Sequence, residues 1–353
     1  MTRLGVLDGL RGWGAVFVLL FHLFCDALPL GPWATNLQYF LPFNGQLAVL
    51  VFFVVSGFAL SVRYLSDGDL QAWSRVLAGR YIRLAIPILA ACFIVHMVMV
   101  FDLVAPPSER LPVFRPYFNF EPTISHHLRF SLFDVFFDYR GSETYIGPLW
   151  TMGIELIGSF IVLLAILVVR RLPARIPMLC GFAVMILMLA PPKNAAMLAL
   201  FPLGAALADC FNRGWLDDVP TPISVLILVV GASVPLVTSS KMAWGLLSAL
   251  PLTLGAIAFA PARAWLSGKL SAWLGRLSFP LYLIHGPIIC FVGEPMTRAA
   301  DTGIQKVGVQ FLVLLLSFCA ARAFVPVNDV AVRLAHRFAN FVVGPAFAFR
   351  RVI

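Results

Sequence analysis

Long apolar segments recur along this chain, and shorter polar segments separate them. A helix needs about 20 predominantly apolar residues to cross a bilayer, and an apolar run of that length predicts such a helix. The pattern predicts ten transmembrane helices, at about residues 12–30, 45–64, 82–104, 149–169, 176–191, 195–211, 221–238, 242–260, 277–293 and 306–325. The fifth and sixth are short, and they could form a hairpin that does not fully cross the bilayer.

Composition supports the same fold class. The chain has 353 residues, of which 60% are hydrophobic and only 12% are charged. These values predict an all-α polytopic membrane protein in a single domain, residues 1–353, rather than a soluble fold. The net charge of +9 does not indicate nucleic-acid binding in so apolar a chain, because excess basic residues mark cytoplasmic loops of membrane proteins.

The distribution of basic residues predicts the orientation. With the N-terminus in the cytoplasm, 18 of the 26 lysines and arginines lie in cytoplasmic segments. The positive-inside rule therefore predicts that both termini are cytoplasmic, with a cytoplasmic tail at 327–353. The largest outer segment is then the loop at 105–148. Within it, the apolar spacing from His126 to Phe137 predicts an amphipathic helix, which is either a cap packed on the bundle or part of a substrate groove.

The first apolar segment contains Arg11 and His22. Eleven residues separate them, which is almost three helical turns, so both side chains lie on one face about 16 Å apart along the axis. With Arg11 at the membrane surface, His22 would lie near the middle of the bilayer. A titratable ring there is costly unless it has a partner or a function. The pair suits an anionic group held by Arg11 and a general base at His22.

Arg80 and Arg83 stand three residues apart at the start of the third segment, on one helix face. Two guanidinium groups so placed could bind phosphates. The alternative is ordinary basic flanking of a membrane helix.

Three further polar positions lie inside apolar segments. Glu155, which follows Trp150, could orient a histidine, bind a sugar hydroxyl or form a structural ion pair. Tyr282 and His285 share a helix face in the ninth segment, and His285 is again deep in the membrane. Ser56 and Gly57 favour close helix packing over catalysis. The six cysteines form no CxxC pair, so neither a metal site nor a disulfide framework is predicted.

These motifs, taken in order, resemble the acyltransferase 3 family, the integral membrane acyltransferases that include O-antigen and exopolysaccharide acetylases. The resemblance rests on Leu7 to Arg11 leading to His22, and on 52–58, 80–83, 149–155 and 281–287. Each motif alone is weak, but five in order are specific, and together they cover most of the chain.

The resemblance implies transfer of an acyl group from cytoplasmic acyl-CoA to a hydroxyl of a glycan or glycolipid. Acetyl-CoA is the expected donor. His22 matches the essential histidine of the family, with Glu155 and His285 as further catalytic candidates. Arg11, Arg80 and Arg83 match the positions expected to bind coenzyme A. Trp150 and Tyr282 are candidates for substrate binding. No metal is implied.

The expected partners are a glycan or lipid-linked glycan acceptor and membrane lipid, in a bacterial inner membrane. The residues after Glu155, Leu156 to Phe160, depart from the pattern of many members, which leaves the acceptor open. The oligomeric state is also open, a homodimer included. Two other classes fit a bundle with buried polar groups: a transporter or flippase, and a non-catalytic subunit of a polysaccharide assembly machine. The lack of internal repeats weakens the transporter interpretation.

Overall fold

The computed structural model describes residues 4–240 and 243–348, with side chains up to residue 344. The described part is helical, without strands. Its long helices are α1 Gly5–Phe21, α2 Gly45–Asp67, α3 Leu70–Val100, α4 Met152–Val169, α5 Arg175–Leu189, α6 Pro192–Asn212, α7 Thr221–Val237, α8 Leu250–Ala258, α9 Lys269–Ile288 and α10 Gly303–Ala348. π-helical turns extend α1 over His22–Asp26 and α9 over Ile289–Gly293, and another at Trp244–Ala249 leads into α8. Short helices follow α8 at Ala260–Leu266 and α9 at Glu294–Arg298.

Seven helices of the described residues are long and apolar enough to cross a membrane, or up to eight if a bent pair counts as one span. The bent pair joins Trp244–Ala258 to Ala260–Leu266 at an angle of 92°. α5 and α7, with 15 and 17 residues, are shorter than the other candidates. The all-α polytopic membrane fold is therefore confirmed. The count of ten crossings and the orientation of the termini stay predictions.

Several helices extend beyond the predicted apolar segments. The first span covers Gly5–Asp26 rather than 12–30, so His22 lies near one end of it and not in its middle. α3 begins at Leu70 rather than 82, because the Asp69 carboxylate accepts a hydrogen bond from the Ala72 amide and caps the helix. α10 continues to Ala348, inside the segment predicted as a tail. Hydropathy reports the apolar part of a helix, whereas capping and packing determine its ends.

Glycines allow the closest helix contacts. A Cβ placed on Gly12 of α1 would lie 2.5 Å from the Gly275 amide nitrogen of α9, so only glycine permits this approach. Gly57 of α2 similarly meets the Phe201 carbonyl of α6, which agrees with packing as the role of the Ser56-Gly57 notch. The α1–α9 contact places the two helices side by side over the length that leads to His22 and His285.

The loop at 105–148, predicted to lie outside and called the outer loop below, is folded onto one end of the bundle. Its first turn is held by the buried Glu294 carboxylate, which accepts a hydrogen bond of 2.8 Å from the Leu111 amide and pairs with Arg298 at 3.0 Å. The predicted amphipathic helix is present as a continuous helical stretch over 124–137. Phe130 and Phe136 pack inward, whereas the exposed apolar side chains are Ile124, Leu128, Leu132, Phe133 and Phe137.

Candidate active site

The imidazoles of His22 and His285 stack against each other. Their ring centroids are 5.4 Å apart and their planes differ by 30°. His22 follows the last residue of α1, and His285 lies within α9. The close α1–α9 contact at Gly12 brings the two rings together, so the structure joins two of the predicted site residues.

A carboxylate that the sequence analysis did not select orients His22. Nδ1 of His22 donates to Oδ2 of Asp26 at 2.8 Å within the π-helical turn. This hydrogen bond fixes the proton on Nδ1 and leaves Nε2 as the basic nitrogen. A carboxylate in this position also stabilises an imidazolium that forms during reaction. The sequence contains this His and Asp four residues apart, a spacing that puts two side chains on one helix face. The residues between them are apolar, so the pair was not recognised as a polar site.

The π-helical turn has its own support. Gln310, a buried amide in the apolar part of α10, donates from Nε2 to the carbonyl oxygens of Leu23 at 3.1 Å and Leu28 at 2.8 Å. A widened turn leaves carbonyls outside the regular helical ladder, and a side-chain donor satisfies them. Gln310 therefore fixes the backbone that carries His22 and Asp26.

His285 presents an unpaired nitrogen. Its Nδ1 donates to the Leu281 carbonyl at 2.8 Å, so Nε2 carries a lone pair. His285 is 1% exposed, and among the described residues Nε2 has no hydrogen-bond partner. A buried polar atom without a partner costs free energy and calls for a ligand or water.

Both histidines line one cavity of about 300 Å³ at the end of the bundle that carries the outer loop. Trp150, which is 41% exposed, lines it too, as do Gln46 and Asp26. The outer loop contributes Val113, Phe114, Tyr117, Phe118 and Tyr145 to Pro148. No residue of the predicted amphipathic helix, 126–137, is among the lining residues, so its part in a substrate groove stays a prediction. Burial raises the pKa of the Tyr117 phenol, and Asp26 raises it further, so Tyr117 stays a neutral donor.

Tyr282 lies behind this cavity rather than in its wall. Its hydroxyl donates to the Pro148 carbonyl and accepts a hydrogen bond of 2.7 Å from the Thr151 hydroxyl. Its ring centroid is 6.2 Å from that of His285. Tyr282 therefore holds the turn that carries Trp150, and a direct contact with substrate stays a prediction.

Glu155 and Arg80, predicted for two different roles, form an ion pair with each other. Nη2 of Arg80 donates to Oε1 of Glu155, and the Ser56 hydroxyl donates to the same oxygen at 2.8 Å. Nε of Arg80 donates to the Ser159 hydroxyl at 2.9 Å. The side chains of Arg80 and Glu155 are 7% and 13% exposed. The structural ion pair was one of the interpretations left open for Glu155, and neither residue lines the histidine cavity.

The other two predicted arginines, Arg11 and Arg83, are not among the residues that line the histidine cavity. Arg11 is half-buried on α1, and Arg83 is exposed on α3. Arg11 precedes His22 by eleven positions, about 16 Å along the helix axis. Arg83 follows Arg80 by one turn near the middle of α3.

An all-helical membrane bundle that encloses a His–Asp pair and a second histidine defines a multi-pass membrane protein with a site suited to acid–base chemistry. The model of a family described as an acyltransferase domain matches residues 4–325. The chain therefore belongs to the acyltransferase 3 family, as the motifs indicated, and it is a membrane acyltransferase. No match was found among curated proteins or among solved structures.

Proposed function

We propose that this acyltransferase moves an acyl group from cytoplasmic acyl-CoA to a hydroxyl of a cell-envelope glycan or glycolipid. The proposed acyl group is acetyl, and the proposed location is a bacterial inner membrane. The observation that carries the proposal is the unpaired Nε2 of His285 in the same cavity as the His22–Asp26 pair. A glycan acceptor carries several hydroxyl groups. One hydroxyl can donate a hydrogen bond to this nitrogen while another gives its proton to His22.

In the proposed reaction, Nε2 of His22 accepts the proton of the alcohol while the alcohol oxygen attacks the thioester carbonyl. The carbon–sulfur bond then breaks, and His22 returns the proton to the sulfur. Asp26 stabilises the intermediate imidazolium through the Nδ1 hydrogen bond. In a second route, Nε2 of His22 attacks the thioester carbonyl, the carbon–sulfur bond breaks and the thiolate leaves. The alcohol oxygen then attacks the acyl-imidazole, the carbon–nitrogen bond breaks, and the alcohol proton passes to the thiolate.

The donor would enter from the end of the bundle that carries Arg11. We assign phosphate binding to Arg11 and Arg83, which match the donor-binding positions of the family. Arg80 is buried and donates to Glu155 and Ser159. Arg80 and Glu155 are then positioning residues that hold α3 against α4 beside the donor path.

The cavity wall suits a sugar. Trp150, Tyr117 and Phe118 offer aromatic surface for the apolar face of a ring, while Gln46 and Asp26 offer polar groups for its hydroxyls. Few polar groups among many aromatic ones are typical of sites that orient a small ligand.

The test compares envelope glycans by mass spectrometry in a strain that lacks the gene and is complemented with variants. We expect the wild type and His336→Ala, which alters an exposed histidine of α10, to restore a mass increase of one acyl group. His22→Ala should not restore it at equal membrane abundance. Full acylation with His22→Ala would overturn the catalytic assignment, and an unchanged glycan with the wild type would overturn the acceptor class.

A further inference from the structure

A second cavity lies away from the histidines, where α2 and α6 end and α5 begins. Its volume is about 390 Å³. It is lined by Leu65, Ser66, Leu172, Pro173, Arg175, Asp209, Asn212 and Arg213, none of which lines the histidine cavity. The proposed acyl transfer makes no use of it.

The cavity has an excess of positive charge built around a buried carboxylate. Asp209 is 1% exposed. Its Oδ1 accepts from Nη1 of Arg175 at 3.3 Å, and its Oδ2 accepts from Nε of Arg213 at 2.9 Å. One carboxylate between two guanidinium groups leaves one net positive charge. Since each guanidinium has five N–H donors, the contacts described for Arg175 and Arg213 leave donors for another anion.

The start of α5 adds to the positive electrostatic potential of the cavity. Arg175 is the first residue of α5, where the helix dipole has its positive end. The positive charge of Arg175 at this position is unfavourable unless negative charges offset it. Asp209 supplies one negative charge. The first amides of a helix have no acceptor within the helix and favour a phosphate in front of them. The helix start and the two arginines therefore favour the same kind of ligand.

The surroundings place the cavity at the depth of lipid headgroups. Trp215 follows α6 and is 52% exposed, and the Arg213 guanidinium lies 5.3 Å above its ring. Tryptophan at helix ends marks the membrane interface, where lipid phosphates lie. Leu172 gives the rim an exposed apolar side chain, at 36% exposure, on which an acyl chain could rest.

We propose that this cavity binds the phosphate of an anionic phospholipid headgroup. Arg175 and Arg213 bind the phosphate oxygens, and Asp209 keeps both guanidinium groups in place when the lipid leaves. Basic pockets between transmembrane helices recognise anionic headgroups in this way. The glycerol and its acyl chains would lie outward along Leu172.

The test measures thermal unfolding of the full chain in detergent during titration with dioctanoyl phosphatidylglycerol or dioctanoyl phosphatidylcholine. We expect the anionic lipid to raise the Tm at lower concentration than the zwitterionic lipid. Loss of each arginine should weaken apparent affinity about fivefold. The variant Arg175→Gln/Asp209→Asn/Arg213→Gln removes every charge of the cavity and leaves no buried ion without a partner, so it can fold without the lipid site.

The matched control is Arg276→Gln/Asp329→Asn, which removes an exposed ion pair of 3.1 Å elsewhere and should respond as the wild type. Equal shifts with both lipids, or a shift retained by the triple variant, would overturn the proposal. A Tm rise with inorganic phosphate at the same concentration as the lipid would also overturn it, in favour of a soluble phosphate ligand.

Discussion

Arg80 of α3 and Glu155 of α4 form an ion pair inside the bundle, and a serine hydroxyl bonds to each partner. Removing one member would leave the other charge buried without its partner, which typically costs about 3 kcal/mol or more. We therefore expect Arg80→Gln to lower the Tm in detergent strongly. Arg83→Gln, on the exposed neighbour, should change it little.

The double variant Arg80→Gln/Glu155→Gln should recover most of the lost stability, because two neutral amides leave no unpaired charge. A double variant as unstable as Arg80→Gln would contradict the pairing. It would indicate that each residue stabilises the fold through other contacts.

Asp26→Asn tests the orientation of His22. Asparagine keeps the shape of aspartate but loses the negative charge that fixes the tautomer and stabilises the imidazolium. We expect kcat for acyl transfer to fall on the order of 100-fold, with a much smaller change in KM. Asp67→Asn is the control. Asp67 also pairs with a basic residue four positions away, and the side chains of Asp26 and Asp67 are each 41% exposed. A similar loss in both variants would refute a specific role for Asp26.

Gln310→Leu tests the support of the π-helical turn. Leucine fills the space but donates no hydrogen bond, so the Leu23 and Leu28 carbonyls lose their donor. We expect faster hydrogen exchange over residues 22–28 and about tenfold lower kcat from the misplaced histidine. Ser317→Ala on the same helix removes a buried hydroxyl that bonds only within its own helix, and it should leave both unchanged. Unaltered exchange in Gln310→Leu would show that the turn is stable without the amide.

His127 in the outer loop should make stability depend on pH. Burial lowers the pKa of this imidazole, and the neighbouring His96 and His126 lower it further. The unfolded chain then takes up a proton near pH 6.5, before the folded chain does, so unfolding becomes easier as the pH falls below about 6.5. Above that pH, both states are neutral at this position and the contribution to stability is complete.

We expect His127→Leu to reduce the fall in Tm between about pH 7.5 and pH 5.5. His336→Gln, which replaces an exposed histidine, should retain it. Unfolding scans across this range measure both. An identical pH dependence in His127→Leu and the wild type would exclude His127 as its source.

The sequence predicted the helical fold well, because apolar runs of membrane length have few alternatives. It also selected His22 and His285, since histidines in such runs are costly. It did not predict the partners. The pairing of Arg80 with Glu155 joins residues distant in the chain, and no local pattern specifies which charges meet. Asp26 was missed because hydrophobic periodicity alone does not distinguish a polar residue of the site from a polar residue that ends a helix.

The glycine contact between α1 and α9 bears on how natural variation in this family should be interpreted. Gly12 and Gly275 have no side chain to take part in chemistry, yet a single added methyl group at Gly12 would lie 2.5 Å from the Gly275 nitrogen and force the helices apart. Purifying selection should therefore act on these glycines as strongly as on the histidines. A ranking of positions by sequence invariance would therefore include both catalytic residues and glycines that are needed only because they have no side chain.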